Sequence, residues 1–392
     1  MSHLEQSFSV KFEYKIFFTS SLFDTGNPIF SDFFKGRPSE SVRKIFFVVD
    51  QGVADTHPDL LKDIKAYFTA HQDVQLIEHV LIVPGGEASK NDPILFEQIV
   101  EAVNTYGIDR HSYIVAIGGG AVLDLVGYAA AVSHRGIKHI RIPTTVLSQN
   151  DSGIGVKNGI NYKGKKNFLG TFAPPASVFN DDEFLTTLTD RDYRSGISEA
   201  IKVALIKDPE FFYWIEKHTQ QLAQRDTDTM NYLIKHCAQL HLNHIGGDDP
   251  FETGSARPLD FGHWSAHKLE QLSNFEVLHG EAVAMGIALD SAYSFLKGML
   301  TEEKLLKILN VLAALSFNIS DPIIQINDQQ SPILLGLSEF QEHLGGLLTI
   351  TLLTDIGTGK EVHEMDHELL IKASAYVTAF TQHYTSQNTI KH

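Results

Sequence analysis

Apolar residues follow two different rhythms along the chain. In the first half, short apolar runs at residues 44–50 (KIFFVVD), 74–83, 113–117 (YIVAI) and 139–142 (HIRI) suit strands buried on both faces. Between them, residues 58–71, 93–106 and 121–131 carry apolar positions at helical spacing. Strands alternating with helices predict a parallel sheet covered by helices on both faces. The first 40 residues read differently, because Phe8, Val10, Phe12 and Tyr14 alternate with polar positions. That period predicts one or two strands and a loop. After about Glu183 the helical rhythm takes over, with helices expected at 191–207, 209–224, 226–242, 262–272, 280–296, 301–315 and 366–381. The expected organisation is an α/β domain at 1–186 followed by a mostly α-helical domain at 187–392.

Composition narrows the function. A chain of 392 residues, 43% hydrophobic, can bury a large core in two domains. A net charge of −16 argues against nucleic-acid and membrane-surface partners. There is no apolar run of membrane-spanning length, and the N-terminus lacks a signal-peptide layout. One cysteine, Cys237, excludes an intrachain disulfide framework and fits a reducing cytoplasm. In so acidic a protein an anionic substrate needs a local basic pocket.

The candidate chemistry is concentrated in a few stretches. Residues 260–281 hold His263 and His267 four apart, then His279 beside Glu281. Imidazoles one turn apart share a helix face and can meet one cation if a carboxylate joins from elsewhere. Glu199 and Lys202, in SGISEAIK on a helix, share a face three residues apart. They read as a surface ion pair or as a carboxylate ligand beside a substrate-facing charge. Glu199 with His263 and His279 would make a catalytic site with open positions, leaving His267 for proton or phosphate contacts. Gly118, Gly119 and Gly120 follow a strand and open a helix, which is either a tight turn or a phosphate seat. Asp50, at a strand end, suits a ribose hydroxyl or a cap. Glu87 and Lys90 follow a Gly-Gly turn and are equally open. Residues 151–167 put Lys157, Lys163, Lys165 and Lys166 in a Gly/Asn-rich loop suited to phosphate or simply to solvent. Arg135 adds charge from this or a neighbouring subunit.

Taken together, the motifs PGGEASK, GGGAVLD, HRG, IPTT, DSGIGVKNGIN, GKKNFLG, SGISEAIK, DFGHWSAH and LHGEAVAMG resemble the 3-dehydroquinate synthase family, the sugar phosphate cyclases, from about Lys44 to about Lys360. The resemblance implies a Rossmann-like NAD-binding domain, a metal-binding helical domain, zinc or cobalt, and a homodimer. It implies Glu199, His263 and His279 as metal ligands. It implies NAD contacts from Asp50, Glu87, Lys90, Gly118, Gly119, Gly120, Asp124, Thr144 and Thr145. Asp151, Lys157, Lys166, Asn167, Lys202, Arg135, His267 and Asp260 are implied in the substrate pocket. The implied cycle oxidises a sugar phosphate, eliminates phosphate, returns the hydride and closes the ring by aldol addition.

The departures bear on the substrate. Where dehydroquinate synthase is expected to carry an arginine for the substrate carboxylate, this chain has Ala256, with Arg257 one residue off. Leu242 stands where a lysine is expected, Asp260 where an asparagine is, and His343 where another lysine is. Asp260 and His343 resemble the sedoheptulose 7-phosphate cyclases, whereas the retained His267 resembles dehydroquinate synthase. The expected substrate is therefore a ketose phosphate with an uncharged head. The alternatives are dehydroquinate synthase itself, with Arg257 shifted into the carboxylate site, a metal-dependent polyol dehydrogenase, and a non-catalytic relative.

Overall fold

The structure is a computed structural model that describes residues 3–35, 42–247, 250–251 and 258–389. It divides into two compact units. One holds the residues up to Thr144 together with Gly155–Glu183; the other holds Thr145–Ile154 and the chain from Phe184 onward.

The α/β unit is built on a six-stranded sheet of β1 (Ile16–Thr19), β2 (Lys44–Asp50), β3 (Gln75–Val83), β4 (Tyr113–Gly118), β5 (Lys138–Pro143) and β8 (Ser177–Asp181). Their order is β1-β8-β5-β4-β2-β3, and every pairing is parallel. The inner strands β2, β4, β5 and β8 are buried along nearly their whole length, as unbroken apolar runs require. Strand order reverses between β2 and β4. Ligands of open α/β sheets bind at the carboxyl ends of strands flanking such a switch. Asp92 caps the helix Pro93–Thr105 by accepting from the Ile94 N–H at 2.9 Å, with proline at the first turn.

Several elements differ from the sequence expectation. The alternating residues Phe8, Val10 and Phe12 form no strand and are exposed; among the described residues of this segment the strand is Ile16–Thr19, which pairs with β8. The 58–71 helix is two, Gln51–Thr56 and Leu60–Ala70. The lysine-rich stretch is not a loop: β6 (Lys157–Tyr162) and β7 (Lys165–Phe172) pair as an antiparallel hairpin turning at Lys163 and Gly164, both with positive φ. What anchors this hairpin is Arg141 on β5, which is fully buried. Its guanidinium donates to the carbonyls of Gly155 (2.7 Å) and Lys157 (2.8 Å) and to Asn158 Oδ1 (2.7 Å).

The helical unit packs around one apolar core that includes Val146, Ile201, Trp264, Ile287 and Leu352. The expected 191–207 helix breaks into Asp190–Ser195 and Ile197–Lys207, where the Asn150 side-chain amide donates to the Gly196 carbonyl at 2.8 Å. The 209–224 helix likewise divides into Pro209–Lys217 and Thr219–Ala223. Helices follow at Thr227–Ile245, His263–Leu272, His279–Leu296, Glu302–Ala314, Leu335–His343 and His367–Thr389. The sequence pattern missed Leu335–His343 and the antiparallel hairpin of β9 (Ile350–Asp355) with β10 (Thr358–Val362). Among the described residues no helix is long and apolar enough to cross a membrane. Asp290, fully buried within His279–Leu296, accepts from the Gly262 N–H (3.1 Å) and from the Trp264 indole N–H (2.9 Å). Burial pushes its pKa up to about 7, against the pull of those two donors.

Two stability predictions follow from these anchors. Arg141→Met strips donors from one buried and two partly buried acceptors, the buried loss being worth about 1–3 kcal/mol. Chemical denaturation should therefore show a loss of about 2–3 kcal/mol; a change under about 1 kcal/mol would remove Arg141 as the anchor. Asp290→Asn turns an amide NH₂ toward a buried N–H donor. A loss of roughly 2 kcal/mol is expected in the same assay, and an unchanged midpoint would contradict the role given to Asp290.

Candidate active site

In the helical unit, three helices bring Glu199, His263 and His279 together. Glu199 lies in the first turn of Ile197–Lys207, while His263 and His279 each open their own helix. Two glycines permit this. Gly262 has φ +75°, and a Cβ there would come within 2.8 Å of the Ile287 nitrogen. A Cβ on Gly280 would sit 1.8 Å from the Ser195 carbonyl oxygen, so only glycine lets this helix start so close to the preceding chain. Glu281 belongs to that helix start. Its carboxylate accepts from the Leu278 N–H at 2.9 Å and pairs with Arg191 at 2.6 Å.

Glu199 Oε1 faces His263 Nε2 at 3.5 Å and His279 Nε2 at 3.4 Å. Lys202 Nζ lies 2.5 Å from Oε2. Glu199 is fully buried and Lys202 only 3% exposed, which excludes the surface ion-pair reading. Burial works against the Glu199 charge, but the Lys202 ammonium and the two imidazoles outweigh it and hold the carboxyl well below its usual range. Burial also works against Lys202. Glu199, Asp151 and Asp260 offset that and raise its pKa above the ordinary lysine value.

The donor set fits a cation. His263 Nδ1 lies 3.1 Å from the Phe261 carbonyl, which can only accept, so the proton is on Nδ1 and Nε2 carries a lone pair. His279 Nδ1 faces Glu270 Oε2 at 3.2 Å, with the same consequence. Two nitrogen lone pairs then converge on an anionic oxygen. Among the described residues, neither Glu199 oxygen meets a donor in good hydrogen-bond geometry. A divalent cation in front of these three atoms resolves both problems. A second group, His267, Glu270 and His279, also has ligand atoms within 4.8 Å of one another. The His267 ring lies 5.4 Å from that of His263 and 6.0 Å from that of His279.

Asp151 belongs to the helical unit, in the π-helical turn Ser148–Ser152, and faces the Nδ1 of buried His241 at 3.2 Å. Thr145, in the same segment, bonds Ser148 through their hydroxyls at 2.8 Å. His241, Glu270 and Asp290 escaped the sequence reading. Glu270 had a signal, since it lies seven residues after His263 on one helix face; His241 and Asp290 had none, sitting in ordinary helical patterns.

In the α/β unit, Asp50 ends β2 and accepts from the Gly52 N–H at 2.8 Å. It is at once a helix cap and a carboxylate near the switch point. Burial raises its pKa, opposed by the N–H groups of Gly52, Val53 and Gly119. Gly118 ends β4, Gly119 and Gly120 open the helix Gly120–Val132, and the Thr144 N–H donates to the Gly118 carbonyl at 3.1 Å. Lys90, 3% exposed, donates to Asp124 Oδ2 at 2.8 Å and to Asn167 Oδ1, with Glu87 at 3.7 Å. Asn167 thereby joins the residues expected around the nucleotide. Lys157 opens β6, and Lys166 lies on β7. Arg135 is exposed ahead of β5, at the sheet end opposite Gly118, with both it and His134 at positive φ. Ala256 and Arg257 lie outside the described residues, as does the His343 side chain.

Family models for the N-terminal and C-terminal regions of 3-dehydroquinate synthase match residues 80–195 and 196–333. The 3-dehydroquinate synthase of Nitrosospira multiformis is 36% identical over 301 residues, 76% of this chain and 80% of that protein. That of Dictyoglomus turgidum is 35% identical over 321 residues, 81% and 86% respectively. Among solved structures, the 2-epi-5-epi-valiolone synthase of Streptomyces hygroscopicus subsp. jinggangensis 5008, with NAD⁺ and Zn²⁺ bound, superposes with a TM-score of 0.85 at 28% identity, covering 96% of this chain and 99% of that one. A 2-deoxy-scyllo-inosose synthase shares the fold at TM-score 0.75 and 21% identity, over 92% and 95%. The chain belongs to the 3-dehydroquinate synthase family of sugar phosphate cyclases.

Proposed function

We propose that this enzyme is a divalent-metal- and NAD-dependent cyclase acting on a ketose phosphate with an uncharged head, such as sedoheptulose 7-phosphate, and yielding an epi-valiolone-type cyclitol. The observation that carries the substrate reading is in the sequence, where Asp260 stands at the position expected to hold an asparagine beside the substrate. A substrate carboxylate brought there meets like charge, whereas a hydroxyl can donate to Asp260. Leu242 offers no cation to reverse that balance. The likeness to a 2-epi-5-epi-valiolone synthase along nearly the full chain supports the same reading. A second reading, 3-dehydroquinate synthase proper, has the 36% and 35% identities in its favour. Dehydrogenases such as a glycerol dehydrogenase, 13% identical at TM-score 0.56, share the fold alone.

In this reading Glu199, His263 and His279 hold the cation. Asp50, Glu87, Lys90, Gly118, Gly119, Gly120, Asp124, Thr144 and Thr145 hold NAD. When bound, the cation supplies an electrophile and NAD⁺ a reversible hydride acceptor. The remaining work falls to side chains. Lys202, kept protonated by its three carboxylates, stabilises the oxyanion that develops as a C–H proton leaves. Lys157, Lys166 and Asn167 grip the phosphate until it departs. His267 and Asp151 orient hydroxyls and move protons. Arg135, at the sheet end away from the glycine turn, serves the neighbouring subunit of a homodimer.

Three experiments test this. Purified enzyme with NAD⁺ and Zn²⁺ or Co²⁺ should release inorganic phosphate from sedoheptulose 7-phosphate; release from 3-deoxyheptulosonate phosphate alone would overturn the substrate reading and leave the family intact. Chelation should reduce release to background, with recovery on adding Zn²⁺ or Co²⁺. Glu199→Gln should lower turnover by roughly 10²–10³-fold, the size seen when one preorganised electrostatic group is lost. Full activity in the chelated enzyme would refute the metal assignment.

A further inference from the structure

We infer that Glu270 is a positioning residue, an anionic acceptor that fixes His279 toward one cation rather than a ligand of a second ion. The inference rests on the reading of Glu199, His263 and His279 as the cation site.

The local chain is built to bring Glu270 and His279 together. The helix His263–Leu272 presents His263, His267 and Glu270 at positions i, i+4 and i+7 of one face. The chain then reverses, and His279 opens the next helix. Asn274 (φ 50°) and Phe275 (φ 63°) both occupy the left-handed region, which non-glycine residues seldom adopt. The turn is tied to the backbone of Glu270 itself. Its carbonyl accepts from the Phe275 N–H at 2.8 Å and the Ser273 hydroxyl at 3.1 Å. Ser273 Oγ in turn accepts from the Val277 N–H at 3.2 Å. The outcome is the Glu270 Oε2 to His279 Nδ1 distance of 3.2 Å, with Glu270 only 3% exposed. These left-handed residues form the turn that ends one helix and sets where His279 begins the next.

The chemistry of this contact gives Glu270 its role. An ionised carboxylate only accepts, so the proton of His279 is held on Nδ1 and the Nε2 lone pair points toward Glu199 Oε1. A negative acceptor behind an imidazole also makes the ring a better donor to a metal. A second ion on His267, Glu270 and His279 would require His279 to lose its Nδ1 proton while Nε2 also served as a ligand. A neutral imidazole serves one ion only, which favours the positioning role.

The test uses the full-length enzyme stripped of metal and titrated with Co²⁺, read by visible absorption and by ion stoichiometry, with Zn²⁺ competition. Glu270→Gln keeps the volume and one acceptor oxygen but loses the charge; Glu270→Leu loses both. One ion per chain is expected, held about 10-fold more weakly in the Gln variant and up to about 100-fold more weakly in the Leu variant, the range for groups that orient a metal-binding histidine. The metal-free Gln variant should keep the wild-type unfolding temperature, separating positioning from general stability. Being isosteric, it also keeps the comparison valid independently of how well the Leu variant folds. Unchanged Co²⁺ affinity in the Gln variant together with an unchanged spectrum would overturn the inference. So would two ions per wild-type chain with the second lost in Glu270→Gln, because Glu270 would then be a ligand. If wild-type enzyme binds no ion, the cation-site reading itself falls.

Discussion

A fully buried carboxylate must be answered by positive charge or it does not stay ionised. Much of the helical unit's local architecture answers Glu199. Lys202 approaches from the next turn of the same helix, at 2.5 Å, and two imidazoles approach from the first residues of two other helices. Those first residues are held in turn by buried groups, His263 through Asp290 on Gly262 and Trp264, and His279 through Glu270. Each helper is itself a buried carboxylate, so solving one desolvation problem passes the demand outward by one shell. The two imidazole nitrogens that face Glu199 Oε1 at 3.5 and 3.4 Å, each with its Nδ1 proton held by another acceptor, make the arrangement read as a metal centre rather than as an ion-pair network.

The α/β unit applies the same rule with the sign reversed. Lys90 and Arg141 are buried cations, and each is surrounded by acceptors: Asp124, Asn167 and Glu87 for one, two carbonyls and Asn158 for the other. Arg141 fixes the start of β6, and Lys90 reaches Asn167 on β7, so both ends of the lysine-bearing hairpin are tied by charge-assisted bonds. Lysines 157 and 166 therefore project from ordered strands. A phosphate grip on such a frame loses less conformational entropy on binding than one on a mobile loop.

What the sequence reveals depends on how local the determinant is. The buried strands 44–50 and 113–117 could be read because burial on both faces leaves an unbroken apolar run. The helix carrying His263 could be read because its start carries the chemistry. Determinants that depend on distant partners escaped. Alternation at Phe8 to Phe12 looks like a strand, yet these positions are exposed and take no strand conformation. Gly and Asn between lysines looked like loop chemistry, whereas they serve a hairpin whose anchor, Arg141, lies in a different strand. The break at Gly196 depends on Asn150, 46 residues earlier. The Glu199, His263 and His279 trio was accessible because each member sits in a compact motif. His241 and Asp290 were not, because a lone polar residue in a helical pattern carries no sign of what it faces.

In the proposed reading the choice of sugar turns on this electrostatic balance. Lys202 is one ammonium acted on by three carboxylates, and of these Asp260 is the one that departs from the dehydroquinate synthase pattern. An amide at that position would leave Lys202 with more of its field directed at the ligand, which is what a substrate carboxylate needs. A carboxylate there spends that field internally and presents an acceptor instead, which is what a hydroxyl needs. A single atom exchange, oxygen for nitrogen, thus both removes attraction for an acidic head and adds repulsion against it. Discrimination of this kind rejects the wrong substrate as well as favouring the right one.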